Sequence, residues 1–137
     1  MTALRGATSV QRPRLLSVGV RPPEGIAVKI ASLVKYRKCL TDDKASYFAD
    51  WPVKPVQREA CWQNLAQTVD ALIALGRRGT IEDATDILRR CVERYNELDQ
   101  GFIGTIEREE LCDILYEIGG YCGMDSEADW VDEWRDW

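Results

Sequence analysis

Residues 79–118, GTIEDATDILRRCVERYNELDQGFIGTIEREELCDILYEI, decide the fold of this 137-residue chain. Ile81, Ala84, Ile87, Leu88, Cys91, Val92, Tyr95 and Leu98 recur at steps of three and four, which places them on one helical face. Thr80 is a good N-cap, and Asp83 three residues on gives a start of the capping-box kind. Glu82 and Asp83 put negative charge in the first turn, where the helix dipole favours it. Asp86 and Arg90 are spaced to pair on the wet side. A second helix is predicted from Thr105, with Ile106, Leu111, Ile114, Leu115 and Ile118 as its stripe and Gly119–Gly120 as its end. The linker from Asp99 to Gly104 is short, which predicts antiparallel neighbours.

Upstream, Trp62, Leu65, Val69, Leu72 and Ile73 mark the buried face of a helix from Val56 to Leu75, stopped by Gly76. Pro52 and Pro55 make residues 49–55 a loop, preceded by the aromatic patch Tyr47, Phe48 and Trp51. Ile26, Ile30, Leu33 and Val34 share a face of a helix that opens after Pro22–Pro23 and runs to about Leu40. Downstream, Ser126 is placed to cap a final helix through Arg135. Trp130, Val131, Trp134 and Trp137 lie on one face of it, amid Asp129, Asp132, Glu133 and Asp136. The expected fold is all-α: a compact bundle of four to five helices over residues 23–137, with a flexible basic arm over 1–22. Within that arm, Leu15–Val20 has the pattern of a short strand.

Charge is unevenly spread. Residues 1–38 hold eight Lys or Arg and one acid, a balance of +7, whereas the other 99 hold ten basic and 22 acidic residues, a balance of -12. An acidic body argues against nucleic acid and suits a basic protein partner. The apolar fraction of 45% contains no run long enough to span a bilayer. The five cysteines, Cys39, Cys61, Cys91, Cys112 and Cys122, are odd in number, widely spaced and free of CxxC, which argues against a disulfide framework or a zinc site. Buried thiols in a reducing compartment are expected. The cytoplasm is the expected location. The first 23 residues, with four Arg and no acid, have the composition of a mitochondrial-type transit peptide, which makes that organelle the alternative.

No histidine occurs, so Ser-His and Cys-His pairs are impossible, and no phosphate-binding glycine loop is present. No catalytic residues, metal site or cofactor are expected; Glu107, Glu109, Glu110 and Asp113 read as a solvated acidic face. The stretch Asp99–Glu110 does fall in register with an EF-hand calcium loop: Asp99 first, Gly104 sixth, Ile106 eighth, Glu107 ninth, Glu110 twelfth. Its third and fifth positions are Gly101 and Ile103, which offer no side-chain oxygen to a cation that needs six to eight.

The run Asn96-Glu97-Leu98-Asp99, then Phe102-Ile103, then Thr105 to Leu111, resembles small helical bacterial proteins of immunity and antitoxin type. That resemblance implies a helical scaffold with a binding role and transfers no active-site residue. The expected function is a non-catalytic protein-binding module, an inhibitor of immunity or antitoxin type that engages a basic toxin or effector. Trp130, Trp134 and Trp137 are the candidate anchors, and Asp129, Asp132, Glu133 and Asp136 the acidic rim. The alternatives are a degenerate EF-hand calcium binder and a small subunit of a larger, organellar assembly.

Overall fold

The computed structural model describes residues 24–125 and 128–137. The arm expected over residues 1–22, with its Leu15–Val20 strand, and the Ser126 cap lie outside the described residues. Five α-helices follow in order: α1 (Glu24–Asp42), α2 (Pro55–Leu75), α3 (Ile81–Leu98), α4 (Thr105–Tyr121) and the short α5 (Trp130–Trp134). Single 3-10 turns, Lys44–Ser46 and Gly76–Arg78, lie before and after α2. No strand occurs among the described residues, so the all-α expectation holds.

The helix ends follow from local chemistry. Pro55 opens α2 with its preset φ, and the Lys54 amide donates to Gln57 Oε1 at 2.7 Å. Gly76 closes α2 at φ 67°, a left-handed conformation that costs other residues strain. At the start of α3 the Asp83 amide donates to Thr80 Oγ1 at 3.0 Å, and the Thr80 amide donates to Asp83 Oδ2 at 3.2 Å. This reciprocal pair satisfies donors that the first turn leaves open.

α3 and α4 touch, as the short linker predicts, but α3 packs chiefly on α2, α4 lies mainly against α1, and α5 bridges α3 and α4. The seam between α2 and α3 is apolar, built from Leu65, Val69, Leu88 and Val92, each fully buried. Polar ties cross it: the Tyr95 hydroxyl donates to the Cys61 carbonyl at 2.8 Å, and Asn64 Nδ2 donates to the Cys91 carbonyl at 3.0 Å. Burial without these partners would leave polar groups uncompensated. Gly119–Gly120 lie in the last turn of α4, which ends one residue on at Tyr121, and their carbonyls accept from the Cys122, Gly123 and Met124 amides. A Cβ on Gly119 would stand 2.6 Å from Trp130 Cζ2, so the absent side chain is the seat of the indole.

The ends of the predicted stripes also differ. Ile81 and Ile106 are 50% and 75% exposed, because first-turn positions project past the neighbouring helices. The aromatic patch is core: Phe48 is fully buried, edge-on to Trp51 at 4.7 Å, and holds φ at 60°. A left-handed Phe costs about 1–3 kcal/mol, so packing must overdetermine it. Trp62 donates from Nε1 to the Leu40 carbonyl at 3.0 Å and ties α1 to α2.

Gly119 and Gly120 provide an internal comparison. Nothing lies within 4 Å of a Cβ built on Gly120. Gly120→Ala should therefore raise stability by about 0.5–1 kcal/mol through the unfolded state. Gly119→Ala should lower it by about 1–3 kcal/mol, because the buried ring has to shift. Thermal melts of the two variants check this; shifts of the same sign would show that Gly119 is not the seat of Trp130.

Candidate functional site

The residues expected to bind a partner gather at one corner, where α5 lies across α3 and α4. Trp130 is 5% exposed, edge-on to Tyr116 at 5.1 Å and 5.3 Å from Trp134. Trp137 is 6% exposed. These two rings are spent on docking the C-terminal segment, which corrects their place as surface anchors. Trp134 is half-buried, with the Arg89 guanidinium 5.0 Å from its ring centre. It is the least buried of the three.

Asn96 fixes the backbone of the segment from both sides. Its Nδ2 donates to the Trp134 carbonyl at 2.9 Å, and its Oδ1 accepts from the Asp136 amide at 2.8 Å. Arg135 pairs with Asp132 at 2.6 Å and donates to the Trp137 carbonyl. Helix α5 ends at Trp134 rather than Arg135, because Arg135 turns extended. Neither Arg89 nor Asn96 is marked in the sequence as an anchor; only the fold brings them beside α5.

The acids remain outside. Asp129, Asp132, Glu133 and Asp136 are exposed, as are Glu109, Glu110, Asp113 and Glu117 of α4. Asp113 shares an electrostatic neighbourhood with Asp132 and Arg135 around Cys112, whereas Glu110 and Glu117 face the side of Trp51, Tyr36 and Tyr47. Burial raises the Cys112 thiol pKa, and the charges of Asp132 and then Asp113 add to the shift. Burial likewise raises the Tyr116 hydroxyl, with Asp132 and Asp129 contributing. Among the described residues, ion pairs involve none of the four α4 acids named. Glu110 accepts from Trp51 Nε1 at 3.2 Å and Glu117 from the Tyr121 hydroxyl at 2.5 Å. Glu109, Glu110 and Asp113 are exposed, as expected of a solvated acidic face, and the nearness of Asp113 to Asp132 is a product of the fold that no local pattern encodes.

The calcium-loop register meets a different geometry. Asp99 Oδ1 accepts from the Gly101 and Ile103 amides at 2.9 and 3.1 Å, so it organises a turn. Gly101, at φ 91°, supplies the left-handed bend; Gly104 is extended and precedes α4. Ile103 is buried, and the Gly104 amide donates to Glu107 Oε1 at 2.9 Å. Among the described residues, no three Cys, Asp or Glu side chains gather to hold a metal ion.

All five cysteines are free thiols. Burial pushes the Cys91 thiol up to about 12, against hydrogen bonds with Thr68 and Asn64 that lower it. Burial, with the charge of Asp99 adding, pushes Cys61 up to about 11. Comparison with protein-family models, with curated proteins and with solved structures finds no match. No described helix is long and apolar enough to cross a membrane.

Calcium titrated to about millimolar levels, the weak end of EF-hand affinities, should give neither heat nor a change in helicity. Saturable binding abolished by Glu110→Gln would contradict this geometry. The thiols predict a separate alkaline effect. A raised acid pKa favours the neutral folded form, so stability is complete below the unfolded value and falls as pH rises. For Cys91 the fall should run from roughly pH 8.5, the unfolded thiol value, to about 12. Over that window Cys91→Ala should reduce the slope of stability against pH by about 1.4 kcal/mol per unit, measured by urea unfolding.

Proposed function

We propose that the chain is a non-catalytic protein-binding module that engages a basic protein through the acidic corner of α4 and α5. The observation that carries this reading is the shared placement of Asp113 with Asp129 and Asp132 around Cys112 and Tyr116, on exposed helix faces. Asp132 is paired with Arg135, but among the described residues Asp113 and Asp129 have no ion pair, and these carboxylates leave a negative field at the surface. Such a field steers a basic partner and speeds its encounter. Trp134, half-exposed beside the rim, is the one ring of its segment placed to add contact area. The partner class is a basic toxin or effector, with the chain acting as its inhibitor in a reducing compartment such as the cytoplasm. The absence of histidine supports a binding role over acid-base chemistry.

The partner is identified by affinity capture from the source cells, followed by mass spectrometry. A basic protein is expected, and its capture should fail with Asp113→Lys/Glu133→Lys. With that protein purified, the double variant should slow association about tenfold at low salt, and the difference should shrink as salt rises. Trp134→Ala should speed dissociation, with thermal melts run beside it to separate binding from folding. Capture of nucleic acid, or of a partner indifferent to all three substitutions, would rule this corner out. Capture of a large multisubunit complex would favour a role as an assembly subunit.

A further inference from the structure

A cleft of about 400 Å3 opens between the 3-10 turn Lys44–Ser46 and the first turns of α2, far in sequence from the acidic corner. Its apolar walls are Tyr47, Pro55 and Trp62, and its charged groups are Lys44, Arg58 and Glu59. The lining is thus net positive, on a body whose balance beyond residue 38 is -12. The volume lies in the range of small-ligand sites, and apolar walls with a few convergent polar groups are their usual lining.

The walls are held in place. Trp62 is pinned through Nε1 to the Leu40 carbonyl. Arg58 Nη2 donates to the Ala49 carbonyl at 3.2 Å. Lys44 Nζ stands 4.2 Å from the Trp62 ring centre and 3.0 Å from Glu59 Oε1. Gln63 Nε2 holds the same Glu59 carboxylate at 2.9 Å. The cleft therefore already binds one carboxylate, its own, and Lys44 carries three donors. Arg37 lies 5.6 Å from the same indole but is engaged with Asp70.

We propose that this cleft binds a small organic anion, an aryl or acyl carboxylate. Its apolar body lies against Tyr47, Pro55 and the small part of Trp62 that lines the cleft. Its carboxylate is held by Lys44, with the positive charge of Arg58 nearby. Glu59 acts as the internal competitor for Lys44.

The test titrates the full chain with 2-naphthoate and with uncharged 2-naphthalenemethanol, following backbone amide and indole resonances by NMR. Naphthoate should shift Ala45, Tyr47 and the Trp62 indole saturably, and the neutral analogue should bind about tenfold more weakly. Lys44→Met should weaken naphthoate by a similar factor. Glu59→Gln should tighten it several-fold, because the competitor loses its charge. Melting temperatures of both variants establish that each is folded. Equal binding of the two probes would overturn the proposal. So would shifts mapping outside the cleft, an unchanged affinity in both folded variants, or no saturable binding up to about 10 mM.

Discussion

The seam between α2 and α3 is the constraint on which the other contacts depend. α2 is the longest helix among the described residues, at 21 residues, and α1 and α3 both pack on it. Its apolar side chains supply most of the seam's attraction, but apolar burial is non-directional. Tyr95 to Cys61 and Asn64 to Cys91 fix the register, since a slip would leave a buried hydroxyl or amide without a partner. With α3 fixed, Arg89 and Asn96 face outward where the C-terminal segment returns. The acidic corner therefore inherits its geometry from a seam that contains no acid.

The C-terminal segment divides its residues between two tasks. Trp130 and Trp137 bury, one on Gly119, and Asn96 grips the backbone between them. A five-residue helix has too little intrinsic stability to stand alone, so its aromatic residues serve to hold it. Asp129, Asp132, Glu133 and Asp136 cannot be buried without large desolvation cost and stay in water. Packing takes up most of the ring surface, and the charges remain in water, with Asp113 of α4 nearby. The cleft at Lys44 and Trp62 has a lining of the opposite sign, although its Tyr47 wall also borders Glu110 and Asp113 of α4.

Local rules carried well where the chemistry is local. The Thr80–Asp83 box, the stop at Gly76 and the opening of α4 at Thr105 depend on atoms within about one turn, and each stands where the pattern puts it. Periodicity likewise marked Leu88, Val92, Leu111, Leu115 and Ile118, which are all fully buried. It erred at Ile81 and Ile106, since a stripe records which face is apolar and not how far the neighbour extends. Gly119 carries a role beyond ending the helix. A double glycine reads as a terminator, and the first of this pair also seats a ring eleven residues away.

The sequence by itself determined the helical class, the helix boundaries to within a few residues, and the acidic character of the body. Those properties follow from composition and from interactions within one or two turns. The tertiary structure decided that α3 takes α2 as its main neighbour, that two of three C-terminal tryptophans are core, and that Asp113 of α4 lies near Asp132 of α5. It also set Lys44 over Trp62 in a cleft of reversed charge. These depend on packing between segments far apart in the chain, where shape and unpaired polar groups select one arrangement among many that the same periodicity allows.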